Sequence, residues 1–145
     1  MEPTLEYRIA ELVAKEPSFA AEAYSFVTES VTYTAKQFRE KAKREGREGA
    51  VPAHRHLSAL ELLHGARDYA REEFGAVAGN VLREWGIVTA RDFGRVVYLL
   101  IGAEVLAASP EDDPRDFEID FDLTGGGDAA DAAPPPPRLL PFLDI

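Results

Sequence analysis

The chain has 145 residues, 46% of them hydrophobic and 10% aromatic, which is enough apolar side chain to bury one core, so a single domain is the expectation. It contains no cysteine, which excludes disulfides, thiolate nucleophiles and thiol-based redox chemistry. The formal net charge of −10 is unevenly placed: residues 109 to 145 hold ten acidic residues and two arginines, whereas residues 1 to 108 hold sixteen acidic and fourteen basic ones.

Glu2, Glu6 and Glu11 stand where a secretory signal needs a basic start and an unbroken apolar run, and no stretch approaches membrane-spanning length. The expectation is a soluble, cytoplasmic protein without membrane contact. Leu5, Ile9, Leu12 and Val13 predict a first helix ending before Pro17, and Ala20, Tyr24, Val27, Val31, Ala35 and Phe38 a second. The β-branched residues among positions 27 to 34 also fit a strand, but the three-and-four spacing persists longer than the alternation. Gly46, Gly49 and Pro52 break the pattern, leaving residues 45 to 55 as a polar loop. Residues 36 to 55 carry Lys36, Arg39, Lys41, Lys43, Arg44, Arg47 and Arg55 against Glu40, Glu45 and Glu48.

Ser58 and Glu61 form a capping box ahead of Leu60, Leu63, Ala70 and Phe74; Val77, Val81, Leu82 and Trp85 continue as a further helix after Gly75, stopped by Gly86. Thr89 with Asp92 opens the next helix, whose core stripe is Phe93, Val96, Val97, Leu100 and Ile101. Residues 117 to 123 alternate Phe117, Ile119, Phe121 and Leu123 with Glu118, Asp120 and Asp122, the period of a strand with one buried face. Its partner is predicted at residues 105 to 108, across the turn formers of residues 109 to 114. The fold expected over residues 1 to 123 is mainly α within the α+β class: about five helices, the carboxyl-terminal half resembling a winged helix-turn-helix and ending in a β-hairpin. Residues 124 to 145 read as an acidic, proline-containing tail. It closes on Arg138, Leu139, Leu140, Pro141, Phe142, Leu143, Asp144 and Ile145, an apolar octamer too short to bury itself and suited to docking in trans or folding back.

Several of these residues together resemble an uncharacterised family of small proteins from planctomycete and verrucomicrobial bacteria. They are Ala23-Tyr24 with Phe26-Val27, Tyr33-Thr34, Arg55-His56, Glu61-Leu62-Leu63 with Gly65 and Arg67, Phe74-Gly75, Trp85-Gly86-Ile87, Asp92-Phe93-Gly94 and Asp116-Phe117. The resemblance covers residues 5 to 123 and implies no activity. The chain departs from the family pattern at Ala59, where the pattern has Gly, and at His64, where it has another residue. The pattern stops near Phe121, so the tail lies outside it.

Motifs that spell chemistry have bland readings beside them. Asp92-Phe93-Gly94 matches the magnesium triplet of protein kinases, but the glycine-rich loop, strand lysine and catalytic aspartate are missing, and Asp92 is explained as a cap. Asp120, Asp122, Thr124, Gly125, Asp128 and Asp131 fall at calcium-loop positions, yet Asp131 replaces the bidentate Glu and prolines stand where a helix should follow. The same string resembles the nucleophile motif of haloacid-dehalogenase phosphatases, without room after it for the rest of that site. His54, His56 and His64 offer zinc ligands without a cysteine.

No nucleophile triad and no phosphate-cradling loop stands out, so no cofactor is expected and the reading is a non-enzymatic interaction or regulatory module with a protein partner. Its candidate contact residues are Lys41, Lys43, Arg44, Arg47, Arg55 and His56 in the basic segment, Arg91 and Arg95 on the helix after Thr89, and Leu139, Leu140, Phe142, Leu143 and Ile145 in the tail. The tail also offers a route to homo-oligomers. Two alternatives stay open: a nucleic-acid-binding winged helix whose basic loop is masked by the acidic tail, disfavoured by the acid on its wing, and a metal-dependent enzyme using the histidines.

Overall fold

The hydroxyl of Thr4 accepts the N–H of Tyr7 at 3.1 Å and so starts α1, Leu5–Lys15, which buries Ile9 and Leu12. In this computed structural model residues 4–46, 57–108 and 113–123 are described. The next helix, α2, runs Ala21–Arg44 and so continues past Phe38 through the basic residues. Residues 27–34 are helical despite their β-branched content, with Val27, Ser30 and Thr34 buried at three-and-four spacing, and their hydroxyls are satisfied on the helix's own carbonyls: Thr28 donates to Tyr24 at 2.8 Å, Ser30 to Val27 at 2.9 Å and Thr34 to Ser30 at 2.7 Å. Ser30 and Thr34 are thereby buried with their hydroxyls satisfied.

Both capping boxes form. Ser58 exchanges hydrogen bonds with Glu61 and opens α3, Ala59–Phe74; Thr89 does the same with Asp92 and opens α5, Ala90–Gly102. Between them lie a 3-10 turn, Gly75–Val77, and the short α4, Ala78–Glu84, which ends at Trp85 with Gly86 at φ +98°. The centre of the fold is α2, packed against α1, α3 and α5. It runs antiparallel to α3, with Phe26 and Glu29 facing Tyr69 and Glu73, and Val31 and Ala35 facing Leu62 and Ala59. Tyr24, Phe19, Phe93, Leu63, Leu82, Ile87 and Leu100 form the fully buried centre. The Arg8 guanidinium donates to the Ala103 carbonyl at 2.6 Å, closing the exposed end of α5 with a cation.

The expected β-hairpin and winged helix-turn-helix are absent; among the described residues there is no strand. Residues 105 and 106 do not extend toward a partner. Glu104 takes a positive φ of 64°, and the N–H groups of Val105 and Leu106 return to the Leu100 carbonyl at 2.9 and 3.3 Å, wrapping the end of α5. Beyond them, Asp113 caps a 3-10 turn, Pro114–Phe117, with Pro at its start and Asp116 completing the box. The segment that follows is held by side chains rather than by a ladder: Phe117 and Leu123 are buried, Phe121 half-buried, and Ile119 is 43% exposed. His64 meets the Phe121 ring edge-on at 4.9 Å, and the Arg67 guanidinium lies 4.7 Å from the same ring and donates to the Asp122 carbonyl at 3.4 Å. The alternation in residues 117 to 123 is therefore not one sheet-like face: Phe117 packs on α5, Phe121 meets α3, and Ile119 stays exposed.

A Cβ at Gly65 would lie 1.8 Å from Thr34 Oγ1, so α2 and α3 approach as closely as they do only because position 65 has no side chain. Gly65→Ala is expected to destabilise the fold by about 1–3 kcal/mol, the usual range for overpacking a tight contact. Gly102→Ala meets nothing within 4 Å and ends a helix, so it should be neutral or stabilise by up to about 1 kcal/mol. Thermal unfolding followed by circular dichroism checks both; a Gly65→Ala protein as stable as the parent would sink the close-approach account.

Candidate functional site

Two concave surfaces flank the contact between α2 and α3. The first is a half-open cleft of about 310 Å³. Val31 and Ala35 supply its α2 wall, Ala59 and Leu62 its α3 wall, and Val97, Tyr98 and Ile101 its α5 wall, with Leu57, Leu106 and Ala107 at the margins. Phe117 closes one end. Its Cβ and ring sit where a side chain on Gly94 would need to be, 2.5 to 2.8 Å from an ideal Cβ, so the turn lies directly on the α5 backbone. Asp113 and Asp116 stand at the mouth, and Arg115 binds Asp113 through both carboxylate oxygens, which holds that carboxyl down at about 2.

The second surface is smaller, about 210 Å³, and differs in character. On α2 the stripe Glu22, Ser25, Phe26 and Glu29 faces it at i, i+3, i+4 and i+7; Tyr69, Glu73 and Phe74 come from α3, and Trp85 from the end of α4. Ring centroids are 5.6 Å apart for Phe26 and Tyr69, 6.0 Å for Phe26 and Trp85, and 5.5 Å for Phe74 and Trp85. Tyr69 Oη donates to Glu29 Oε1 at 3.0 Å; burial and then that carboxylate push the phenol's pKa well above its ordinary value. Beside it, Tyr33 donates to Glu72 at 2.8 Å and is pushed up to about 12 by burial first and the carboxylate second. Trp85 is the chain's only tryptophan.

No protein-family model, curated protein or solved structure matches this chain. Its function must therefore be argued from these two surfaces and from where the candidate residues fall.

Lys41, Lys43 and Arg44 are exposed in the last turn of α2, where cations suit the helix dipole. Arg47, Arg55 and His56 lie outside the described residues, as do His54 and the tail residues Leu139, Leu140, Phe142, Leu143 and Ile145. On α5, Arg91 is exposed, but Arg95 is committed to the fold: it pairs with Glu16 at 2.6 Å and lies 5.1 Å from the Phe19 ring. Arg91 and Arg95 do line one shallow concavity on α5, but Glu16 and Glu118 share it and Arg95 is already paired with Glu16. Of the three histidines only His64 is described, exposed against Phe121. Among the described residues no group of three or more His, Asp or Glu side chains is placed to hold a metal; Asp128 and Asp131 of the calcium-like spacing lie outside them. No described helix is long and apolar enough to cross a membrane.

Neither concave surface was anticipated from the sequence. The α2 stripe at 22, 25, 26 and 29 was a legible signal, since it puts carboxylates and an aromatic ring on one helix face. Arg95→Ala is expected to cost about 1 kcal/mol through the lost ring contact and a partly exposed ion pair, while Arg91→Ala stays within about 0.5 kcal/mol of the parent. Urea denaturation distinguishes them; equal effects would place Arg95 among the dispensable surface residues.

Proposed function

We propose that this chain is a non-enzymatic protein-interaction module of the cytoplasm, and that the cleft between α2, α3 and α5 receives a short apolar segment. The observation that supports this is the cleft's lining: mostly aliphatic and aromatic side chains on three helices, open to solvent, with Asp113 and Asp116 the charged residues among the described ones. The proposed membership of the uncharacterised bacterial family resembled by residues 5 to 123 adds no activity to this reading.

The occupant we propose is the chain's own apolar octamer, residues 138 to 145, from the same or a second copy. Phe117 lines the cleft and the buried Leu123 follows it by six residues, at most roughly 20 Å along the chain. The fourteen residues from 124 to 137 set the reach of the octamer: a flexible chain of that length covers roughly 20 Å, for which a millimolar-range effective concentration at nearby surfaces is expected. Asp128 and Asp131 on that tether suit the exposed Lys36, Arg39, Lys41, Lys43 and Arg44 along the same end of α2.

A fluorescent peptide of residues 138 to 145 tests this against a full-length chain in which Leu139, Leu140, Phe142 and Leu143 are all replaced by Ser. Saturable binding is expected there, about tenfold weaker binding to the unmodified chain whose own octamer competes, and loss of binding when Ala35→Phe or Ala107→Phe fills the cleft. Absence of saturable binding, or binding indifferent to both cleft-filling variants, overturns the reading. Sedimentation of the unmodified chain over a range of concentrations then separates self-docking from exchange between copies.

A further inference from the structure

We infer that the aromatic pocket between the amino-terminal half of α2 and the carboxyl-terminal half of α3 binds a lysine or arginine side chain presented by a basic partner polypeptide. This surface is separate from the apolar cleft and does not depend on that cleft's having an occupant.

The argument is one of shape, then charge. The half-buried rings of Tyr69, Phe74 and Trp85, backed by the buried Phe26, border roughly the space that a cationic head and part of its methylene stem need, about 210 Å³. Ring faces carry the negative end of the aromatic quadrupole and attract a cation, most strongly where water is partly excluded and most of all at Trp. An ordinary satellite of the core would fill this space with an aliphatic side chain. Here it is left open and rimmed by Glu22, Glu29 and Glu73, and among the described residues no basic side chain lines it.

The carboxylates are also positioned rather than loose. Glu29 is held by the Tyr69 hydroxyl at 3.0 Å, with its remaining lone pairs free to accept from a guanidinium or ammonium donor. The Tyr69 phenol keeps its proton through the physiological range and so serves as a fixed donor that orients Glu29. A polypeptide is favoured over a free amine because the negative surface continues beyond the pocket. Glu72 and Asp68 are exposed on the neighbouring turn of α3, where further basic residues of an extended peptide would lie. An anionic or purely apolar ligand finds no match there.

Trp85 makes the test direct, because it is the only tryptophan and it forms part of the pocket wall. The full-length protein is titrated with a short peptide containing two arginines and a lysine, with the same peptide carrying Gln at those positions, and with tetramethylammonium chloride. The basic peptide is expected to change Trp85 fluorescence saturably, with an apparent affinity that falls as salt rises, while the Gln peptide leaves it unchanged. Glu29→Gln and Glu73→Gln preserve shape and remove charge; combined, they should weaken the response about tenfold while the circular dichroism spectrum stays the same. A response equal for basic and Gln peptides, or one that survives the double Gln variant, overturns the inference. A response to tetramethylammonium as strong as that to the peptide reassigns the pocket to small organic cations and overturns the polypeptide partner.

Discussion

The α2 and α3 backbones meet at Gly65 and Thr34, and the register this sets governs the rest of the molecule. With a side chain at position 65 excluded, α3 sinks toward α2 until the Thr34 hydroxyl has nowhere to go but its own helix, where it donates to Ser30. Once that point is fixed, antiparallel geometry determines every facing pair above and below it. Phe26 and Glu29 fall opposite Tyr69 and Glu73 on one side, and Val31 and Ala35 opposite Leu62 and Ala59 on the other. Both concave surfaces border this helix pair, each lined by residues of α2 and α3.

The remaining elements brace this pair. α5 seals one flank with a stripe that is buried from Phe93 to Leu100, and its two ends are tied to the first helix region by Arg95 with Glu16 and by Arg8 with the Ala103 carbonyl. These polar ties differ in weight. The pair between Arg95 and Glu16 is partly exposed and contributes at most about 1 kcal/mol, whereas the contact of Phe117 with the bare backbone at Gly94 excludes any side chain at that position. The carboxyl-terminal turn is therefore fixed by shape, and the acidic residues around it are left at the surface.

What the sequence made legible was local. The boxes Ser58 with Glu61 and Thr89 with Asp92, the stop at Gly86 and the helical stripes were readable because each depends on residues within one or two turns. The hairpin failed for the opposite reason. Alternation in residues 117 to 123 records only apolar residues that need cover, and two helices rather than a second strand supply it: α5 lies under Phe117, and α3, through His64 and Arg67, meets Phe121, while Ile119 is left exposed. The segment before it carried its own correction, since Asp113, Pro114 and Asp116 form the cap of a short helix at the place read as a hairpin turn. Of the candidate site, the exposed Lys41, Lys43 and Arg44 were legible from charge alone, but neither cavity was, because concavity depends on how far two helices interpenetrate at a glycine and a threonine distant in sequence.

Charge segregation along α2 illustrates how far pattern alone can carry a functional argument. Glu22 opens the helix and Lys41, Lys43 and Arg44 end it, which is the order the helix dipole favours, so a basic end on this helix needs no ligand to explain it. Dipole preference fades within the first and last turns, however, and Glu29 lies in the third turn of a 24-residue helix. That carboxylate is explained by neither capping nor the dipole. Its observed partner is a tyrosine hydroxyl at the edge of an open aromatic pocket, and an anion held there beside half-buried rings is an arrangement whose electrostatics improve when a cation enters. The acidic half of α2 thus carries more functional information than the basic half, although the basic half is the more conspicuous in the sequence.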